Sequence, residues 1–475
     1  MKLGKKIVLT CSAIFICGFV FSQSADSLLP YLGIAAKNNP TVLQKFSEYK
    51  AALQKVPQVG GLPDPQFNIG VFLEPMELVN GNQIADMRLM QMFPWFGTLS
   101  AAKDEMSLMA KAKFESFRDA KFQLFYEVQR SWFEMQKNQL DIRTSEKNID
   151  LLGIIERLTL VKYKATPTGS SNQTASSAEI QPANSKNEND NSGGMNSMGN
   201  GSGTAVQPST SMQGNSMSSQ TSGTGMADIY RIQIEMGDLE NSIALLKNQS
   251  QTLAARFNLY LNRPAGMKIY MPDTLKADTL ELSLTAITDS MFAYNPMLGM
   301  LDYEQQSLEA RKKMVTRMGA PMMGLGVNYS LINKSAMSTS SMNGKDMIMP
   351  MATVSLPIYR GKYKAMQNEA ELLRNASKLN YQATENSLQT EYYQALQLYK
   401  DSQRRIKQYE NQRLLAKKAL DIMLKTFSTS GADLTDILRI RQQAYDYELK
   451  QIEAAADQNT AIAWLKRLTA VTRID

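Results

Sequence analysis

Residues 98–164 and 361–428 contain no proline. At 1.5 Å per residue, each can run as one helix of roughly 100 Å. Rods of that length do not fit inside an ordinary globular core, so they must lie alongside other helices. The periodicity agrees. In the second half, Tyr392, Ala395, Tyr399, Ser402, Ile406, Tyr409, Arg413, Ala416, Leu420, Met423 and Phe427 step by three and four. Ile229, Ile232, Met236, Leu239, Ile243, Leu246, Ser250, Leu253 and Phe257 do the same in the first half. Such stepping is the seam of long helices packed side by side. Ala395, Ser402, Arg413 and Ser250 are small or polar for a dry two-stranded coil. They suit a shallow helical wall with one wet side.

The chain is also duplicated. Asn39-Pro40 recurs as Asn295-Pro296, Pro65 as Pro321, Gly70 as Gly326 and Val71 as Val327, each pair 256 residues apart. Phe93-Pro94-Trp95-Phe96-Gly97 has a looser counterpart in Leu356-Pro357-Ile358-Tyr359-Arg360-Gly361. A period this large marks a repeated half-molecule and not a solenoid. The first repeat covers residues 23–272 and the second 273–475. Each reads as a short helix, two alternating segments, a Pro-Gly turn and long helices, predicted at 98–164, 227–262, 361–428 and 432–471.

The alternating segments have period two and are predicted as strands at 66–73, 84–93, 323–331 and 347–356. Phe67, Ile69, Val71 and Leu73 share one side, as do Ala85, Met87, Leu89 and Phe93. Met323, Leu325, Val327, Tyr329 and Leu331 follow the same rule, as do Ile348, Ala352, Val354 and Leu356. The opposite sides are polar or mixed. One apolar face in segments of eight to ten residues is the pattern of outer-membrane strands. An ordinary half-buried hairpin would explain any one segment taken alone.

Lys2, Lys5 and Lys6 precede an apolar run from Ile7 to Phe21, followed by polar Gln23-Ser24-Ala25-Asp26. This reads as a secretory signal peptide over residues 1–22. The run is shorter than the roughly 20 residues needed to span a bilayer. Cys11 and Cys17, the only cysteines, lie within it. Ile16 is not the small residue that lipidation at Cys17 needs, so the reading is an exported, unlipidated chain. Removing the three leader lysines lowers the formal net charge from +7 to +4. That balance is too slight and dispersed to point to nucleic acid. An exported chain without a spanning helix can enter a membrane only as a barrel. Four strands cannot close one, because the smallest transmembrane barrels need eight. The chain must therefore oligomerise.

Composition narrows the chemistry. There are no histidines, which excludes Ser-His-Asp and Cys-His catalysis, HExxH zinc sites and His-ligated haem or copper. Loss of the leader removes both thiols, and with them disulfides and thiolate metal sites. No phosphate-binding Gly loop, nucleophile elbow or cofactor motif is present, so no enzyme and no cofactor are expected. Methionine, at 30 residues, is the one soft ligand left.

The duplicated Asn-Pro helices, the strand pairs, the turns at Pro94/Gly97 and Pro357/Gly361 and the 3-4 helices together resemble the TolC-type outer-membrane efflux family over residues 28–472. The stretch from Phe427 through Ser430-Gly431-Ala432-Asp433-Leu434 to Leu438 resembles that family's aromatic–Gly–hydrophobic–Asp turn. The resemblance implies a mainly α chain with membrane β. Four strands per chain would contribute to a trimeric 12-stranded barrel in the outer membrane, continuous with a 12-helix periplasmic tunnel. It also implies a homotrimer in outer-membrane lipid, docked on a periplasmic adaptor and an inner-membrane pump of the RND type. No covalent chemistry is implied. The family narrows its tunnel at acidic residues of the tip. Asp436 matches that position in the second repeat, and Asp228 is its approximate counterpart in the first. Arg439 stands where a second carboxylate is expected, which allows an Asp436–Arg439 pair at i, i+3. Helix capping or dipole compensation would equally explain both aspartates.

The departure from the family is residues 166–225, about 60 residues of Ser, Gly, Asn, Gln and Thr with no aromatic residue and no leucine. Such a composition cannot build a core. The repeat would place it at the periplasmic aperture, opposite the short turn at Ser428–Asp433. Its notable apolar side chains are Met195, Met198, Met212, Met217 and Met226. Met337, Met342 and Met347 lie in and beside the outward loop between the third and fourth strands, and Met90, Met92, Met349 and Met351 on the lumen-assigned strand face. Thioether sulfur is a neutral soft ligand suited to Cu(I) and, by the same logic, Ag(I). The expected cargo is therefore Cu(I) or Ag(I), as in a heavy-metal branch of the family. Adaptable packing and compositional drift are the bland alternative. A duct for drugs, bile salts or secreted proteins would share every scaffold feature. A periplasmic coiled-coil adaptor would need a lipoyl-like β-domain, and a secreted filament would lack the hairpins.

Overall fold

The computed structural model describes residues 28–165, 225–280, 283–429 and 433–470. Its elements, in chain order, are α1 (Leu28–Asn38), α2 (Pro40–Gly60), β1 (Gln66–Leu78), β2 (Gly81–Phe93), α3 (Thr98–Ala165) and α4 (Met226–Tyr260). The second half follows with α5 (Leu284–Tyr294), α6 (Pro296–Met318), β3 (Met322–Asn333), β4 (Met347–Ser355), α7 (Arg360–Thr429) and α8 (Leu434–Leu468). The leader and residues 166–224 lie outside the described residues. No described helix is long and apolar enough to cross a membrane.

α3 and α7, of 68 and 70 residues, are the two long rods. α2 and α4 pack along α3, and α6 and α8 along α7. α6 and α8 also touch α3, which joins the halves. Asn39 caps α2 through its Oδ1, which accepts from Thr41 N at 3.0 Å. Its Nδ2 donates to the carbonyl of Tyr260, the last residue of α4, at 2.9 Å. Asn295 repeats both roles. It accepts from Met297 N at 2.9 Å and donates to Leu468 O at 3.0 Å. Each Asn-Pro pair therefore starts one short helix and holds the end of another beside the same rod.

Two helices, α4 and α8, stop where the backbone turns left-handed. α4 ends two residues short of the sequence expectation because Asn262 takes φ +53° and Arg263 N bonds back to Asn258 O at 3.0 Å. That is the Schellman pattern. Ala470, at φ +52°, follows the end of α8 at Leu468, and its N–H bonds back to Arg467 O at 3.1 Å. Most predicted seam residues are buried, Ala395 and Ser402 completely. Ser250 is exposed instead. Two equivalent cores form beside the joints, one around Tyr31, Trp132 and Phe257 and the other around Met291, Tyr392 and Leu465.

The four strands form one antiparallel sheet in the order β1-β2-β3-β4, so the two hairpins merge although α3, α4, α5 and α6 separate them in sequence. β1 runs past the alternating segment to Leu78 by means of an irregularity between Val71 and Met76. Pro75 lies in that gap, and it has no N–H to give to a ladder. Gly81 closes the hairpin at φ +122°, and a Cβ there would lie 2.3 Å from Asn333 O. The register puts Phe67, Leu89, Val327 and Pro350 in one row and Ile69, Met87, Tyr329 and Ile348 in the next. That face is apolar and exposed, with Leu73 at 99%. The other face carries Gln66, Met90, Gly326 and Met351 in one row and Asn68, Arg88, Asn328 and Met349 in another. Among the described residues no strand pairs with the outer edge of β1 or β4.

Candidate functional site

Two regions collect the residues of interest: the end where α3, α4, α7 and α8 meet, and the polar face of the sheet.

At the helical end, Leu152, Ile155, Ile232, Leu420, Phe427, Leu434 and Ile437 form a buried cluster from all four helices. Lys162 caps it with its ammonium 4.2 Å from the centre of the Phe427 ring. Asp228 and Asp436 both fall in the first turn of their helices, α4 and α8. Arg231 donates to Thr435 Oγ1 at 3.2 Å and so ties these two helix starts together. Neither aspartate is the cap. Gly225 stands at that position in α4, and Asp433 fills it in α8 by accepting from Thr435 N. Asp228 and Asp436 instead place negative charge on the positive ends of the helix dipoles. Asp436 pairs with Arg439 at 3.3 Å, with the two side chains 47% and 69% exposed. Met226 opens α4 and is half-exposed, whereas Met195, Met198, Met212 and Met217 lie outside the described residues.

A deeper polar layer, which apolar periodicity does not mark, lies behind this end. Arg441 of α8 is 2% exposed. It donates to Asn148 Oδ1 of α3 at 3.1 Å and to Glu235 Oε2 of α4 at 2.5 Å. Burial pulls its pKa down from the usual guanidinium value, and the Glu235 carboxylate opposes this. Further along, Ser145 shares a 2.8 Å hydrogen bond with the Tyr445 hydroxyl. Asn138 donates to Leu246 O at 3.0 Å. Asp141 is 8% exposed, and burial pushes its carboxyl up to about 6 against the attraction of Lys137. Asn138, Asp141, Ser145 and Asn148 form a 3-4 stripe of polar residues on the buried side of α3. The signal was readable: Arg441 continues the apolar series Leu434, Ile437, Leu438 of α8.

On the sheet, Met90 and Met351 flank Gly326, while Met92 and Thr353 flank Gly324. Thr353 Oγ1 lies 4.0 Å from Met90 Sδ, so the Met90 side chain reaches across β3 to β4. Met92 Sδ occupies the space above Gly324, 2.6 Å from where a Cβ would stand. Met349 pairs with Asn328 on the same face, and Met347 with Ser330. Met337 and Met342 are exposed in the β3–β4 loop, which Ser338 ties to the β1–β2 turn by donating to Val79 O at 2.6 Å. Among the described residues no group of three or more Asp or Glu is placed to hold a metal ion.

No protein-family model matches the chain, and no curated protein matches it. Solved structures do. The chain superposes on the outer-membrane channel OprN with a TM-score of 0.68 at 13% identity, covering 93% of this chain and 89% of that one. The outer membrane protein VceC from Vibrio cholerae gives 0.66 at 11% identity, with 93% and 96% covered. CusC, whose structures concern folding and transmembrane channel formation, gives 0.66 at 13%, with 94% and 92% covered. The chain therefore has the fold of these outer-membrane channels over nearly its whole described length.

Proposed function

We propose that this chain, which carries the fold of outer-membrane efflux channels, is one protomer of a trimeric export duct. Three four-stranded sheets close a 12-stranded barrel in the outer membrane, and the helices of three chains form a 12-helix tunnel through the periplasm. The duct performs no covalent chemistry. It takes substrate from an inner-membrane pump of the RND type through a periplasmic adaptor. The observation that carries this reading is the sheet itself, which has one exposed apolar face and two open edges. Open edges and exposed backbone are not tolerated in lipid, so copies must pair edge to edge. Trp95, Phe96 and Tyr359, 39%, 78% and 86% exposed where the sheet meets the helices, suit an aromatic belt at the membrane surface.

The duplication supplies a template for the joint between copies. β2 pairs with β3 inside the chain, with Phe93 opposite Met323 and Met92 opposite Gly324. Transferred to the equivalent strands, this register sets Leu356 opposite Phe67 of the next copy and Ser355 opposite Asn68 of the next copy. Every lipid-facing residue then stays on the lipid side.

The cargo in this reading is Cu(I) or Ag(I). Thioethers of Met195, Met198, Met212, Met217 and Met226 gather ions at the periplasmic mouth, and Met90, Met92, Met349 and Met351 pass them through the barrel. Asp228, Asp436 and Arg439 set the charge of the aperture. Deleting 166–225 is expected to lower copper and silver tolerance of cells that depend on this duct. Unchanged tolerance, together with no Cu(I) binding by the isolated segment, would leave a duct for another cargo.

A further inference from the structure

The geometry points to a defined seat for one soft monovalent cation on the polar face of the sheet, built from Met90, Met92 and Thr353 with Met351 beside them. This rests on the duct reading, which makes that face the lumen wall.

Gly324 and Gly326 form a bare floor on β3. Met90 and Met92 enter from β2, and Thr353 and Met351 from β4. The Met90 sulfur lies 4.0 Å from Thr353 Oγ1. The Met92 sulfur fills the gap over Gly324, whose other side is bounded by the Thr353 Cβ. The Met90 thioether thus meets the Thr353 hydroxyl, and the Met92 thioether lies over the glycine next to it. A side chain on Gly324 would displace the Met92 sulfur, because its Cβ would lie 2.6 Å from Met92 Sδ, and a Cβ on Gly326 would lie 2.7 Å from the Leu89 carbonyl.

An eight-stranded barrel is just filled by side chains, but twelve strands leave a wider interior. The thioethers therefore face water and fill no core. Apolar groups on a wetted wall carry a hydrophobic cost that a polar residue would avoid. A soft cation gives them a ligand role: two neutral sulfurs need no deprotonation, and the hydroxyl adds an oxygen. With no thiolate or carboxylate in the seat, binding stays weak enough for release, which conduction requires.

The test is Ag(I) titration, in chloride-free buffer, of the full-length trimer labelled at its methionine methyl groups. The Met90 and Met92 methyl resonances are expected to shift together and saturate, while Met87, on the opposite face, stays fixed. Met90→Leu with Met92→Leu should lower bound Ag(I) by one ion per chain, and Met87→Leu should not. Because the resonance shift is read in the native chain, it stands even where the double variant fails to assemble. An intact trimer whose Met90 and Met92 resonances ignore Ag(I) overturns the seat and leaves the duct. A soluble monomer removes the lumen and overturns both.

Discussion

The Asn39 side chain caps α2 with its oxygen and, 2.9 Å from its nitrogen, holds the last carbonyl of α4 at Tyr260. Asn295 does the same for α6 and Leu468. A lost cap costs about 1 kcal/mol, and a lost buried hydrogen bond about 1 more. Asn39→Ala and Asn295→Ala should therefore each destabilise by about 2 kcal/mol. Serine keeps the cap but is too short for the tie, so Asn39→Ser should cost about half of that. Thermal melts of the detergent-solubilised protein would show whether the order is Ala, Ser, wild type.

Arg441 and Glu235 give an asymmetric prediction. Removing the carboxylate leaves a guanidinium that is 2% exposed with Asn148 and Gln442 as its remaining partners. Glu235→Ala should cost about 2–3 kcal/mol. Arg441→Met removes the buried charge itself and leaves Glu235, 30% exposed, free to hydrate, so its cost should stay near 1 kcal/mol. Equal losses would mean that an uncompensated buried charge is not what makes the Glu235 variant the costlier one.

Asp141 makes stability pH-dependent with a defined sign. Its folded-state pKa, about 6, lies above the ordinary 3.8, so the folded chain binds the proton more tightly than the unfolded chain. Stability should rise as pH falls from about 7.5 through 6 and level off towards 4, before general acid unfolding. Asp141→Asn should flatten that rise and add about 1–2 kcal/mol at neutral pH. Melting curves at pH 7.5 and 5.5 decide the matter, and an unchanged slope in the variant would remove Asp141 as its source.

The charges proposed for the aperture, Asp228, Asp436 and Arg439, should matter for ions more than for folding. Asp436 and Arg439 are exposed, and such pairs contribute at most about 1 kcal/mol. Asp436→Asn should shift reversal potentials in planar bilayers towards anions, and Arg439→Ala towards cations. Asp228→Asn should act like Asp436→Asn. Reversal potentials that do not move would take these residues out of the conduction path.

Long, uniform periods made the scaffold legible. A 3-4 step over tens of residues and four segments of period two identify rods and strands without any tertiary information. Local backbone events were harder to read. Nothing in the composition announces that Asn262 and Ala470 turn left-handed, or that β1 resumes beyond Pro75. The Asn-Pro pairs stood out as repeats, but their second function depends on a carbonyl more than 170 residues away. The polar stripe Asn138–Asp141–Ser145–Asn148 carries no apolar periodicity, so its burial is not legible from hydrophobic spacing. The family resemblance singles out Asp436 as a candidate gate residue and the repeat adds Asp228; the structure shows that neither one caps its helix.

The most direct measurement is disulfide trapping between copies. The only cysteines are Cys11 and Cys17, both in the predicted leader, so introduced thiols report without background. Ser355→Cys combined with Asn68→Cys should give, on mild oxidation, a covalent trimer on denaturing gels, because a head-to-tail ring closes on itself. Ser355→Cys with Phe72→Cys, displaced by about 13 Å along the strand, should stay monomeric. Monomer from both pairs, or a ladder ending at dimer, would contradict a barrel shared by three chains.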